Sequence, residues 1–204
     1  MGGVMLNNNV GTIEGATPLN DLSGLKVKIP NITRRQLYEV EAENIAKVTA
    51  KYLVKSGYTK SMQFDVIGLC NLHKEMFDDV WRWAGEYRSV QTNIGSSPTS
   101  IHQDILILSQ DVEGWKEIKM DFLEQAVRLH HRAVQIHPFE NGNGRWSRML
   151  SNIWLKKNGQ RIILWPDNID VVTNVRTEYL QALRQADGMN YESLMTLHKT
   201  YQSN

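Results

Sequence analysis

The spacing of apolar positions along the chain predicts a protein built almost entirely from helices. In residues 33–52, one face of a helix is formed by Leu37, Val40, Asn44, Val48 and Tyr52, which recur at spacings of three and four. The same periodicity predicts helices over residues 63–84, 103–118, 121–136, 145–158, 168–186 and 190–202. In the 63–84 stretch, the predicted buried face consists of Phe64, Ile67, Leu72, Met76, Val80 and Trp83.

Two segments lack this periodicity. Residues 1–32 are rich in Asn, Gly, Thr and Pro and predict an irregular leader. Residues 85–102 mix Gly, Ser and Pro with short alternating stretches, which favours a β-hairpin or a mobile loop. We expect a short hairpin that acts as a flap, at about residues 89–100, as the only strand content. Because no repeat or long linker divides the remainder, residues 33–204 are predicted to form a single all-α domain.

Composition and charge narrow the class of protein. The chain has 204 residues, of which 23 are Lys or Arg and 22 are Asp or Glu, so its net charge of +1 excludes a strongly basic nucleic-acid coat protein. A single cysteine, Cys70, leaves no internal disulfide, which fits a reducing compartment. No secretion signal or membrane-spanning apolar run is present in the sequence. We therefore expect a cytoplasmic protein that does not associate with membranes.

The string HPFENGNGRWSR at residues 137–148 carries the candidate chemistry. Gly142 and Gly144 stand where a loop enters a helix, so backbone N–H groups there can approach a phosphate. Arg145 and Arg148 are three residues apart, which places both guanidinium groups beside the same helix N-terminus. His137 precedes the loop and is a candidate general base near neutral pH. The pattern predicts a site for transfer chemistry on a polyphosphate.

The string also resembles the motif of the Fic family, which reads His, any residue, Phe, any residue, Asp or Glu, then Gly-Asn-Gly-Arg and a second Arg three residues on. The segment LHKEMFDDVWRWAGEYR at residues 72–88 is similar to the one that precedes the flap in Fic proteins. The resemblance covers about residues 60–190 and implies an all-α, Fic-like helical bundle. Within the family, the GATPL leader and the HPFENGNGR spelling look most like the bacterial group called mobile mystery protein B.

The resemblance implies a protein adenylyltransferase that moves AMP from ATP, with Mg²⁺, to a Ser, Thr or Tyr hydroxyl of a target protein. It implies that His137 accepts the hydroxyl proton, that Phe139 packs the loop against the core, and that Asn143 with the Gly142 and Gly144 backbone holds the α and β phosphates. By the same resemblance, Arg145 binds the β phosphate and Arg148 the γ phosphate. The flap would pair with the backbone of the target.

The sequence departs from the family pattern at the metal position. The family has Asp or Glu there, whereas this chain has Asn141, and the neighbouring carboxylate is Glu140. An amide oxygen can bind a hard cation but carries no charge, so we expect weaker metal binding, a displaced metal or slower transfer.

Many Fic proteins also carry an inhibitory helix whose Glu pairs with the second motif arginine. By motif spacing the corresponding residue is Glu43, whereas by helical angle Glu41 lies on the apolar stripe and Glu43 points away from it. A carboxylate on an apolar stripe needs a partner, and Arg148 is a candidate. We take self-inhibition through Glu41 or Glu43 as a hypothesis.

Several other functions compete with AMP transfer. Within the family they are transfer of phosphate or UMP, AMP removal, and a nucleotide-binding regulatory protein weakened by Asn141. Between Arg128 and Arg161 seven basic side chains accompany Glu140, a local charge of +6 that permits DNA binding, although nucleic acid ranks last among the partners. His130, His131 and His137 could form a zinc site, but neither the spacing nor a supporting cysteine favours it. The six tryptophans are interpreted as core residues.

Overall fold

The computed structural model describes residues 22–55, 57–170 and 173–203. In these ranges lie eight α-helices: α1 (Arg34–Thr49), α2 (Tyr58–Ser61), α3 (Val66–Phe77), α4 (Ile101–Glu117), α5 (Phe122–Ile136), α6 (Asn143–Lys157), α7 (Asn174–Asp187) and α8 (Glu192–Thr200). A π-helix (Ala50–Val54) continues α1, and a 3₁₀-helix (Asp167–Asp170) precedes α7. The predicted all-α fold class is confirmed.

The helix ends follow local side-chain chemistry. Thr33, Asp65, Asp121 and Thr173 each cap the first amides of the helix that follows them, α1, α3, α5 and α7 respectively. Helix α6 begins after Gly142 with no capping side chain, and α2, α4 and α8 also lack one. Helix α6 ends at Lys157, followed by Gly159 at φ +71°.

The core forms around the pairing of α5 with α6, the most extensive helix contact in the described chain. Helices α1, α3 and α4 pack around this pair, and α7 and α8 cover the opposite side of α5. The largest fully buried aromatic side chains are Phe77, Trp81, Phe139, Trp146 and Trp154. The loop between α5 and α6, which contains the motif, is therefore held at the centre of the domain.

Helix α3 is shorter than its periodicity predicted. It ends at Phe77, and the chain then turns, with the amides of Val80 and Trp81 both bonded to the Phe77 carbonyl. The prediction that Ile67 is buried is wrong, since its side chain is 71% exposed in the first turn of the helix. Phe64, Leu72, Met76 and Val80 are buried as predicted.

The predicted β-hairpin flap is not formed. Residues 86–100 contain no paired strand, and the described chain has only two isolated bridges, Leu25 with Trp81 and Ile163 with Gln202. The backbone groups that a hairpin would pair are bonded elsewhere: Arg88 N–H donates to the Pro138 carbonyl and Ser96 N–H to the Ile136 carbonyl. Residues 86–100 instead form an irregular loop that lies against the motif loop.

The first bridge lies in the predicted leader, where residues 24–26 run along residues 80–82. Residues 1–21, which include the GATPL sequence, lie outside the described residues. None of the helices in the described ranges has the length and apolar character needed to cross a bilayer.

Candidate functional site

The motif loop begins where α5 ends. His137 is the C-terminal cap of α5 and adopts a left-handed backbone conformation (φ 50°, ψ 58°). Proline follows at position 138, and a helical conformation is disfavoured for a residue that precedes proline. Gly142 also has a positive φ, of 78°, and a Cβ there would lie 2.4 Å from the Phe77 ring, so only glycine fits. The loop therefore turns sharply at both ends.

A histidine that sequence reasoning left without a function supports this loop from below. His73 on α3 is fully buried, and its ring stacks on Phe139 with a centroid distance of 3.6 Å. Its Nδ1 accepts from the Gly85 amide at 3.0 Å, so Nε2 carries the proton and donates to the Asn141 carbonyl, also at 3.0 Å. Burial above all, and then the charge of Arg145, lower the pKa of His73 to about 3. The ring is neutral and braces the loop.

Asn143 braces the loop from within. Its Oδ1 accepts from the Phe139 amide at 3.0 Å and its Nδ2 donates to the Phe139 carbonyl at 2.8 Å. The side chain is 2% exposed. The amide of Asn143 is therefore bonded to both polar groups of the Phe139 backbone.

His137 lies beneath the segment that was predicted as a flap. Its side chain is buried. Burial and then the nearby charge of Arg88 lower its pKa to about 4, although a hydrogen bond with the Val134 backbone acts in the opposite direction. Gly95 (φ 97°) crosses so closely that a Cβ there would lie 2.6 Å from the Cβ of His137. The imidazole is thus neutral near pH 7, the form in which it can accept a proton.

Arg88 fixes this covering segment to the motif loop. Its guanidinium is buried and donates to three carbonyls: His137 at 2.7 Å, Val90 at 2.9 Å and Ser96 at 2.5 Å. These contacts explain why the hairpin prediction failed, because the Val90 and Ser96 carbonyls accept from Arg88 and are not paired across two strands.

The two motif arginines flank the uncapped N-terminus of α6. The Arg148 Nη1 lies 3.5 Å from the position that a Cβ on Gly144 would occupy. The Arg145 guanidinium lies over the Phe77 ring, 4.9 Å from its centroid, and the same ring packs against Gly142. The structure therefore brings together the amides of the first helical turn and both guanidinium groups, which is the arrangement required for a polyphosphate.

A carboxylate already contacts Arg145. Glu41 on α1 is 1% exposed, accepts from Arg145 Nη1 at 2.7 Å and accepts from Trp81 Nε1 at the same distance. The helical angle therefore placed Glu41 on the buried face correctly, but Arg148 is the wrong partner. Glu43 is exposed on α1 and faces Lys47, so its proposed contact with the motif is not formed.

Arg148 has its own acidic partner. Its Nη2 donates to Asp170 Oδ2 at 2.5 Å, and Asp170, on the 3₁₀-helix, is about half exposed. Burial opposes the charge of Arg148, but Asp170 and Tyr179 outweigh it and raise its pKa. Sequence reasoning did not identify Asp170, because no local pattern marks its contact with Arg148.

The residues at the family's metal position offer little to a divalent cation. The Asn141 Oδ1 already accepts from the Gly142 amide at 2.7 Å. The charge of Glu140 acts on Arg88 instead. Among the described residues no group of three His, Cys, Asp or Glu side chains is placed to bind a metal. Mg²⁺ prefers one or two carboxylates together with substrate phosphates, whereas Asn141 offers an uncharged amide oxygen at this position.

The zinc and DNA alternatives lose their main support. His130 bonds with His198 and Tyr179, whereas His131 bonds with Asp187 at 2.9 Å, so the adjacent histidines face different partners. Much of the basic segment is occupied by contacts within the protein. Besides Arg145 and Arg148, these contacts join Arg128 with Glu124, Arg132 with Asp104, Lys156 with the Leu53 carbonyl and Lys157 with the Met62 carbonyl.

Comparison with known proteins agrees with this geometry. Residues 63–155, from the end of α2 to the last turn of α6, match the model of the Fic/DOC family. The chain carries a Fic/DOC family domain. The chain is 39% identical over 79 residues to the protein adenylyltransferase Fic of Culex quinquefasciatus, and 29% identical over 108 residues to fic-1 of Caenorhabditis briggsae. These alignments cover 37% and 51% of this chain but only 16% and 20% of the two relatives.

Solved structures share the fold over nearly the whole chain. The N-terminal Fic domain of a Bartonella sp. AR 15-3 effector superposes with a TM-score of 0.67 at 19% identity, covering 93% of this chain and 89% of that one. BepC from Bartonella tribocorum, solved with bound AMPPNP, gives 0.65 at 18% identity and covers 93% and 94%. The similarity shows that the helical arrangement around the Fic domain is shared.

The buried neutral histidines predict that acid destabilises the fold. The pKa values of His73, His137 and His198 lie at about 3, 4 and 4, below the unfolded value of about 6.5. The unfolded chain therefore binds more protons as the pH falls. Stability that is present above pH 6.5 is lost toward pH 4, by about 1.4 kcal/mol per pH unit for each histidine.

Urea unfolding at pH 7.5, 6.5 and 5.5 measures this slope. Between pH 6.5 and 5.5, His73→Gln should reduce the slope by about 1 kcal/mol per pH unit, because an unfolded histidine is only partly protonated near its pKa. The matched variant His102→Gln should leave it unchanged, because His102 is exposed. A slope that is equal in the wild-type chain and His73→Gln would contradict the assignment of a neutral buried His73.

Proposed function

We propose that this chain is a protein adenylyltransferase that transfers AMP from ATP to a Ser, Thr or Tyr hydroxyl of a target protein. The observation that carries the proposal is the grouping of a neutral His137 with an uncapped α6 N-terminus and the guanidinium groups of Arg145 and Arg148. The curated relatives are named adenylyltransferases, and BepC was solved with an ATP analogue, which supports ATP as the nucleotide.

In the proposed reaction, the target hydroxyl attacks the α phosphorus of ATP. A new P–O bond forms, the bond from the α phosphorus to the bridging oxygen breaks, and pyrophosphate leaves. The imidazole of His137 takes the hydroxyl proton. The amides of Gly142 and Gly144 and the guanidinium of Arg145 hold the inner phosphates, and Arg148 holds the terminal one, so that binding energy orients the α phosphorus for attack.

The covering segment, at about residues 89–100, is the proposed docking site for the target. Val90 and Ile94 are exposed there, at 63% and 48%, beside the buried His137. A target chain that lies on this segment would bring its hydroxyl group to the imidazole. We place the reaction in the cytoplasm, in agreement with the single cysteine and the use of ATP.

Mass spectrometry tests the reaction directly. Purified chain is incubated with a bacterial lysate, ATP and Mg²⁺, and proteins are searched for the added mass of AMP. His137→Ala should reduce the modification about a hundredfold or more, whereas His102→Ala, at an exposed position, should retain it. Addition of phosphate or UMP that depends on His137 would replace AMP transfer with one of the alternative transfers.

Asn141 sets the dependence on metal in this proposal. A carboxylate at position 141 would supply a charged ligand in place of the amide of Asn141, so Asn141→Asp should raise the affinity for Mg²⁺ in the presence of nucleotide by about tenfold or more. The exposed control Asn190→Asp should not change it. Calorimetric titration of Mg²⁺ measures the affinity. Equal affinity in Asn141→Asp and the wild-type chain would overturn the role of position 141.

Self-inhibition is proposed to act through Glu41, because a phosphate must compete with its carboxylate for Arg145. Glu41→Gln keeps an oxygen for Trp81 but removes the charge, so ATP affinity should rise by about fivefold or more while stability falls by about 1–3 kcal/mol. Glu43→Gln is the matched control, since Glu43 is exposed on the same helix. ATP affinity that is unchanged in Glu41→Gln, measured by calorimetry, would refute inhibition.

A further inference from the structure

A line of buried polar side chains connects Arg148 on α6 with Tyr179 on α7, His130 on α5 and His198 on α8. The Arg148 guanidinium lies over the Tyr179 ring, 5.9 Å from its centroid, and Tyr179 helps to raise the pKa of Arg148. The Tyr179 hydroxyl is 2.9 Å from His130 Nε2, and His130 Nδ1 is 3.2 Å from His198 Nε2. His198 Nδ1 is 2.8 Å from the Leu194 carbonyl.

The chemistry of the partners fixes the direction of every bond in this line. The Leu194 carbonyl can only accept, so His198 Nδ1 donates to it. With His198 neutral, its Nε2 must accept, which makes His130 Nδ1 the donor. The Nε2 of neutral His130 then accepts from the Tyr179 hydroxyl. The Tyr179 oxygen is left with its lone pairs, which stabilise the positive charge of the neighbouring Arg148, a side chain with donors only.

The side chains of this line are shielded from solvent. His130 and His198 are fully buried, and Tyr179 is 4% exposed. Burial lowers the pKa of both histidines, which keeps them neutral. The members come from α5, α6, α7 and α8, and the edge of Trp165 packs on both imidazoles, with centroid distances of 5.3 and 4.8 Å. A bond lost at one end therefore leaves a buried polar atom at the next position.

Arg148 thus has two partners of different kinds. Asp170 contacts it from the solvent side, on a short 3₁₀-helix, and a bound phosphate would compete with this carboxylate for the same N–H groups. The Tyr179 contact lies on the buried side and is compatible with bound phosphate. The partner that persists on binding is the one held by the histidine pair.

We propose that Tyr179, His130 and His198 are positioning residues that hold Arg148 ready for the terminal phosphate of the nucleotide. The inference rests on the proposed function for the assignment of that phosphate to Arg148. The three residues touch neither nucleotide nor target. They act through the orientation of one guanidinium group, so their loss is felt by a nucleoside triphosphate and not by a diphosphate.

Calorimetry with two ligands that differ in one phosphate tests this selectivity. The probes are α,β-methylene ATP and α,β-methylene ADP, whose modified bridge prevents AMP transfer. Tyr179→Phe should weaken the triphosphate by about three- to tenfold and the diphosphate by less than about twofold. Tyr191→Phe is the matched control, because its hydroxyl is exposed at the start of α8. Equal losses for both ligands, or no loss, would overturn the inference.

The far end of the line gives a second pair of variants. In His198→Gln a side-chain oxygen can still accept from His130, whereas in His198→Met no acceptor of comparable strength remains. The affinity of His198→Gln for the triphosphate should therefore lie within about twofold of that of the wild-type chain. His198→Met should bind the triphosphate about threefold or more weakly, and the affinity for the diphosphate should change little in both variants. Equal behaviour of the two variants would mean that His198 only fills space, which overturns the inference.

Two further measurements separate this inference from the proposed function. Long-range ¹H–¹⁵N spectra without nucleotide should show His130 and His198 as neutral Nδ1–H tautomers, and an Nε2–H tautomer at His130 would overturn the line. Arg148→Ala reports on the phosphate assignment. If it binds both ligands as the wild-type chain does, the proposed role of Arg148 fails and the inference with it. If it loses the triphosphate selectively while Tyr179→Phe does not, only the inference fails.

Discussion

The site depends on the contact between a neutral imidazole and the motif loop. His73 stacks on Phe139 and binds the Asn141 carbonyl, and this pair of contacts determines where the loop runs between α5 and α6. A charged His73 could not accept from the Gly85 amide, so the low pKa and the loop shape depend on each other. The amides at the start of α6 are therefore positioned by a side chain on α3 that lies against the motif loop.

Charge around the site is balanced locally, residue by residue. Arg145 faces Glu41, Arg148 faces Asp170, and the buried Arg88 donates to three carbonyl oxygens and is acted on by the charge of Glu140. The excess of positive charge in this part of the sequence is consequently not a free surface. Each arginine contacts its own partner. A bound anion would either displace that partner or bind beside it.

The parts of the structure that follow from local pattern were predictable from the sequence, and those that follow from long-range contact were not. Periodicity placed the helices and put Glu41 on the buried face of α1, but its pairing with Arg145, 104 residues away, depends on packing. The hairpin prediction failed because Arg88 takes carbonyls from the segment. His130 was considered only as a zinc candidate, because its contact with His198, 68 residues away, exists only in the fold.

The position of Glu41 has a consequence for where the functional unit begins. The family match starts at residue 63, yet the carboxylate that faces Arg145 comes from α1, which precedes it. Trp81, inside the matched region, donates its indole N–H to the same carboxylate. A shortened gene that encoded only residues 63–155 would retain the motif loop but lose the Glu41 carboxylate that contacts Arg145. Helix α1, which packs on α3 and contributes Leu37 and Val48 to the core, therefore belongs to the functional unit although it lies outside the matched segment.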